Sequence, residues 1–235
     1  MKLTIALWLI SLIVMPREGV SEIVNLSKVA DEYITRYKGD PVLELSFYKR
    51  YNGKDPMTAT AGVLENEGDC EKLENADYRR CDDWYFWYIN DGIVTPFILT
   101  SSVTVLYKGQ RPETFTFNLS NAGWIEWNPE NLTKPINYTT EYYEKKCNFT
   151  ARITFDGYFH YRVKNTRGDS PKHDYIGIGL LASNSAKLKH HGNLKLFYNV
   201  TGVFQHTAFC RPTGTKSKKK RNIPARSIAP IRLLR

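Results

Sequence analysis

The chain has 235 residues, 42% hydrophobic and 13% aromatic, with 33 Lys and Arg against 24 Asp and Glu for a net charge of +9. Nine of the basic residues lie from Arg211 onward with no acid among them, leaving 24 basic against 24 acidic residues in the body. The excess charge therefore belongs to a C-terminal arm, and the balanced body excludes a nucleic-acid-binding domain.

In chain order, Met1-Lys2 runs into the uncharged stretch Leu3–Met15, followed by the small residues Gly19-Val20-Ser21. A basic start, a short apolar run and small residues predict a signal peptide over residues 1–21, cleaved after Ser21. The run falls short of the ~20 residues of a membrane-spanning helix. The expected location is secreted and extracellular. Residues 22–210 are then long enough for one β domain with a real core.

The stretch "SKVADEYITRYK" over 27–38 spaces Val29, Tyr33 and Tyr37 at i, i+4 and i+8, which predicts one short amphipathic helix. Beyond Pro41 every signal is β. "VLELSFYK" (42–49) sets Leu43, Leu45 and Phe47 on one face and ends at the Asn52-Gly53 turn. "WYFWYI" (84–89) does not alternate, so it reads as a central strand covered on both faces, its start fixed by Cys81, or else as an exposed aromatic platform. Then come "FILT", "VTVLY" and "TFTFN". "ARITF" and "YFHYRV", joined by Asp156-Gly157, predict a hairpin with a type I′ turn. "YIGIGLLA" and "LKLFYNVTGVF" add two strands. Eight or nine short strands predict an all-β fold, an antiparallel β-sandwich or alternatively a lipocalin-like β-barrel.

Residues 211–235 predict a basic disordered tail. Within it Lys216, Lys218, Lys219, Lys220 and Arg221 form either a binding site for heparan sulfate or an acidic membrane surface, or a proteolytic processing site.

Six N-x-S/T sequons occur, at Asn25, Asn118, Asn131, Asn137, Asn148 and Asn199, where composition alone gives roughly two. A glycoprotein with these segments at its surface is expected. Cys70, Cys81, Cys147 and Cys210 suit two disulfides, and three pairings are possible. Because a local pair closes a small loop, the expected bridges are Cys70–Cys81 and Cys147–Cys210.

Catalytic patterns are missing: there is no G-x-S-x-G, H-E-x-x-H or phosphate-binding glycine loop. His190 and His191 sit in a polar stretch, His160 reads as a packed strand residue, and the acids of Glu65–Asp69 and Asp82-Asp83 lack a calcium-loop register. No enzyme activity, metal or cofactor is expected.

Several segments, in order, resemble the N-terminal region of Notch ligands of the Delta/Serrate/Lag-2 type. "VLELSFYKRYNGKD" is similar to that family's opening strand and turn, and "GDC" with "CDDWYFWYI" to its cysteine pair and aromatic strand. "GIVTPFILTSS" and "RPETFTFN" are similar to the next two segments of that region. "NLKLFYNVTGVFQHTAFCRP" resembles the lead into its receptor-binding module. The resemblance implies a C2-like β-sandwich and a signalling role. Gly202 stands where the family has the module's first cysteine, and no cysteine comes after Cys210, so no receptor-contact residue of that module is carried over.

The function expected is non-catalytic recognition of a cell-surface receptor, glycan or membrane. The turns carrying Asn90 and Asp91, and Tyr107 and Arg111, are the expected partner-binding loops. Two other readings stay open: a carrier of a small apolar ligand, and a precursor of a basic peptide, Asn222–Arg235.

Overall fold

A computed structural model of the chain describes residues 23–210 apart from 67, 69, 71, 75–77, 121–122, 132–140, 166–167 and 169. The expected signal peptide, Asn137 and the basic tail with Lys216, Lys218, Lys219, Lys220 and Arg221 lie outside the described residues. The elements run β1 (Val24–Asn25), α1 (Leu26–Lys38), β2 (Val42–Ser46), β3 (Thr58–Asn66), β4 (Cys81–Asp91), β5 (Ile93–Val94), β6 (Thr100–Tyr107) and β7 (Arg111–Asn118). They continue with β8 (Trp124–Trp127), β9 (Glu141–Asp156), β10 (Tyr158–Val163), β11 (Lys172–Gly177), a 3₁₀ helix (Ile178–Asn184), β12 (Lys189–His191) and β13 (Lys195–Cys210).

The architecture is all-β and sandwich-like, antiparallel except for the short parallel pair β1–β5, with one short N-terminal α-helix among the described residues. Its main sheet has the order β3-β9-β13-β4-β8, with β12 added beside β13. The two 16-residue strands β9 and β13 pair from Lys195↔Asp156 to Cys210↔Glu141 without a break, a ribbon of roughly 50 Å. Alternation explains which face turns inward. Phe149, Ala151, Ile153 and Phe155 of β9, and Leu196, Tyr198, Val200 and Phe204 of β13, are all buried, while the residues between them face outward.

Strand β4 is central, between β13 and β8, and this accounts for its unbroken aromatic run. Tyr85, Trp87 and Ile89 enter the core, and Trp84 and Phe86 are buried on the other face. Trp87 sits with its ring 5.4 Å from Phe115, 5.5 Å from Phe117 and 5.3 Å from Phe204. Those rings come from the β6–β7 hairpin and from β13, so one tryptophan joins two layers. Each such pair adds about 0.5–1.5 kcal/mol beyond its area burial. At Gly202 a side chain would run into the Tyr88 carbonyl and the Phe149 ring, so the close approach of β13 to β4 requires glycine.

The helix forms where its local signals place it. Asn25 Oδ1 accepts from Lys28 N at 3.1 Å, and Gly39, at φ 73°, ends it by donating to Thr35 O. Leu26, Val29, Ala30, Tyr33 and Ile34 face the core, whereas Tyr37 is exposed.

The expected hairpin at Asp156-Gly157 does not form. Both edges of β9 are taken there, since Asp156 pairs with Thr58 and with Lys195. The chain leaves the sheet instead, and β10 joins a second sheet of order β11-β10-β2. Gly157, at φ 114°, makes this corner while donating to Leu194 O at 3.0 Å. The expected strand "YIGIGLLA" likewise divides: Tyr175–Gly177 end β11, and the rest is 3₁₀ helix.

The disulfides are Cys70–Cys147 and Cys81–Cys210, not the expected pairs. Register explains both. Cys81 and Cys210 are direct partners across β4 and β13, with Cα atoms 3.9 Å apart. The last β3–β9 pair is Asn66↔Phe149, so the chain leaving β3 passes Cys147, two residues further along β9, at Cys70.

Candidate functional site: the outer face of the long sheet

Alternation along β3, β9, β13 and β4 builds one continuous outward face. At the end nearest Asp91 it holds a groove of about 760 Å³, whose lining includes Val63, Glu65, Thr150, Arg152, Lys187, Lys189, Phe197 and Asn199. The groove opens to solvent, and its lining mixes apolar surface with charged and polar groups. One wall is fixed by Asp91, which accepts from Lys187 Nζ at 2.8 Å and from Thr201 Oγ1 at 2.9 Å. These two bonds hold the Asp91 carboxyl below the usual carboxylate range. On the floor the Arg152 guanidinium lies 4.0 Å from the centre of the Phe197 ring.

The other half of the face is aromatic. Tyr88 on β4 pairs directly with Trp124 on β8, and β8 ends the sheet's strand order. Trp124 is 57% exposed and Tyr88 37% exposed, and the Phe86 ring on the same face lies 6.4 Å from Tyr88 and 6.5 Å from Trp124. The aromatic run of β4 is thus a core strand for most of its length and a surface platform at Tyr88.

The expected partner-binding residues are not brought together. Asn90 and Asp91 lie at one end of β4, while Tyr107 and Arg111 flank the turn that meets Asp83 near the other end. Eight residues of strand, roughly 26 Å, separate the two sites. Asn90 is exposed beside Tyr88, but Asp91 is tied into the groove wall, and the turn continues into β5, which β1 covers as a parallel partner. Tyr107 is only 1% exposed and cannot touch a partner. Its position alternates inward from the hairpin tip, and burial together with Glu130 pushes its phenol up. Arg111 is exposed and ion-paired to Glu113 at 2.6 Å.

The five described sequon asparagines, Asn25, Asn118, Asn131, Asn148 and Asn199, are all exposed. Asn148 and Asn199 stand on the outer face itself, on β9 and β13.

Two polar clusters carry no signature in the sequence pattern. Asp83 accepts from Lys108 N at 2.6 Å, and its backbone carbonyl takes a bond from Asn128 Nδ2 at 2.6 Å. Beside it His206 stacks on Tyr85 at 4.5 Å. The signal lay in the cysteines: once Cys81 faces Cys210, Asp83 and His206 fall two and four residues along adjoining strands. Sealed from solvent, this pair lacks the reach to substrate that a general base requires. In the second sheet His173 Nδ1 lies 3.3 Å from His160 Nε2, under the Tyr51 ring. Among the described residues, no three His, Cys, Asp or Glu side chains gather as a metal site.

No protein-family model matches the chain, and no curated protein matches it significantly. Among solved structures it is similar to a non-toxic crystal protein from Bacillus thuringiensis, at 8% identity and TM-score 0.48, over 81% of this chain and 94% of that one. It is also similar to a chain of the Cry23Aa1 and Cry37Aa1 binary complex, at 9% identity and TM-score 0.47, over 79% and 85%. The β-pore-forming protein Mpp75Aa1.1 from Brevibacillus laterosporus matches at 9% identity and TM-score 0.30, over 79% and 86%. No property of these proteins is carried to this chain.

Proposed function

We propose that the protein is a secreted glycoprotein that recognises a cell-surface protein receptor without catalysis, through the β4–β8 half of its outer face. The observation that carries the reading is the exposed cross-strand pair Tyr88–Trp124 at a sheet edge. Tyr and Trp supply large contact area with few rotatable bonds and dominate binding energy at protein interfaces. Strand β8 ends the strand order among the described residues, the position at which a partner strand adds to a sheet. Export is supported by two disulfides, which persist in oxidising compartments, and by the exposure of every described sequon asparagine. The resemblance to Notch ligands makes a Notch-type receptor the first partner to try. The basic tail adds a charge-driven contact with heparan sulfate or acidic lipid surfaces.

The test is binding of the secreted glycoprotein to cells and to a Notch-type receptor ectodomain, with and without the aromatic pair. Loss of binding in the Tyr88→Ala/Trp124→Ala variant supports the reading. Full retention overturns it.

A further inference from the structure

The groove beside the aromatic pair contains a sequon, and the two facts have one explanation. In "FYNVT", Phe197, Asn199 and Thr201 occupy alternate positions of β13 and project from the same outer face. Phe197 and Asn199 both line the groove, and Thr201 reaches its wall through Asp91. Of the six sequons, only Asn199 has an aromatic residue two positions before the asparagine. The other five have Ile23, Thr116, Pro129, Pro135 and Lys146 there.

We infer that the groove is the seat of the protein's own N-glycan, attached at Asn199, with the first N-acetylglucosamine packed against the Phe197–Arg152 pair. Attachment needs a lipid-pyrophosphate-linked oligosaccharide as donor. The Asn199 amide nitrogen bonds to the sugar's anomeric carbon, the pyrophosphate leaves with the bonding electrons, and the amide gives up one proton. The apolar face of the pyranose, lined by axial C–H bonds, suits an aromatic ring. Arg152 adds guanidinium donors for the N-acetyl carbonyl and ring hydroxyls, and no carboxylate among the described residues pairs with it. Being covalently attached, the sugar occupies the groove at an effective concentration no free ligand matches. Asn148, on the neighbouring strand, has Lys146 at the equivalent position and so offers a sugar no such ring.

This inference rests on the secretory-glycoprotein part of the proposed function. The experiment begins with site-by-site glycopeptide mass spectrometry of protein from a secretory host. Glycan at other sequons with Asn199 bare overturns the inference alone, and glycan at none overturns both. A double-mutant cycle comes next, with Phe197→Ala made in the wild-type and Asn199→Gln backgrounds. The expected result is a loss of about 2–4 °C in melting temperature for Phe197→Ala when Asn199 is glycosylated, and little loss in the Asn199→Gln background. Trimming native protein to one N-acetylglucosamine per site should preserve the Phe197 effect, and complete enzymatic removal should abolish it. This keeps the test independent of how well Asn199→Gln folds. An equal Phe197 effect with and without sugar overturns the inference.

Discussion

His206 Nε2 lies 3.2 Å from Asp83 Oδ1, with both side chains wholly buried between β4 and β13. The same carboxylate takes the Lys108 backbone N–H, so one side chain ties the β6–β7 turn to the central strands. Its neighbour Asp82 contacts the partly exposed Lys108 ammonium at 3.2 Å.

Removing the Asp83 carboxylate takes away the acceptor of the Lys108 backbone N–H and the charge that faces the buried His206 ring at 3.2 Å. Asp83→Ala should therefore destabilise the fold by about 3 kcal/mol. Asp82→Ala, which gives up a contact with the partly exposed Lys108 ammonium, should cost less than Asp83→Ala. Denaturant unfolding under non-reducing conditions measures both, and equal losses would contradict the tie assigned to Asp83.

Acid should weaken the second sheet. Burial, and then the Lys49 ammonium, hold the His160 imidazole below its ordinary pKa of 6.5. His173 and Arg162 act the same way, and Glu44 opposes them. As the pH falls the unfolded chain binds this proton first, so stability is intact above about pH 6.5 and declines from there toward the folded pKa. Melting temperatures between about pH 7.5 and 5.5 should fall in the wild type and fall less in His160→Gln. Parallel curves would show that His160 is not the group responsible.

Peptide mapping without reduction should recover Cys70–Cys147 and Cys81–Cys210. The first bridge spans 77 residues, so Cys70→Ser/Cys147→Ser should lower stability by about 4 kcal/mol. Recovery of a Cys70–Cys81 peptide would contradict the register of β4 against β13.

The legible part of the fold was local. The spacing of Val29, Tyr33 and Tyr37 within one stretch predicts a helix over 27–38, and α1 forms over 26–38 with Val29 and Tyr33 buried and Tyr37 exposed. The long strands come from alternation in "ARITF" and "LKLFYNVTGVF". Partnership between distant segments was not legible. Asp156-Gly157 has good hairpin chemistry, but nothing nearby reveals that Thr58 and Lys195 already occupy both sides of Asp156. A preference for small loops misled the cysteine pairing for the same reason, since register and not loop length brings Cys81 to Cys210. At the candidate site, Asn90, expected in a binding loop, lies within β4 and is exposed. Trp124 was overlooked because the four-residue "WIEW" is too short to show a period. Tyr107 continues the inward alternation of Val103 and Val105, which its place beside a hairpin tip conceals in the sequence.

The most direct test of receptor binding through the aromatic edge is a titration of fluorescently labelled, secreted glycoprotein on cultured cells. Three forms are compared: wild type, Tyr88→Ala/Trp124→Ala, and a chain ending at Cys210. The aromatic variant should bind about tenfold more weakly or worse, while the shortened chain keeps specific, saturable binding. Unchanged binding by the aromatic variant, with complete loss on removing the tail, would contradict that role and reduce the contact to the charge of the basic arm.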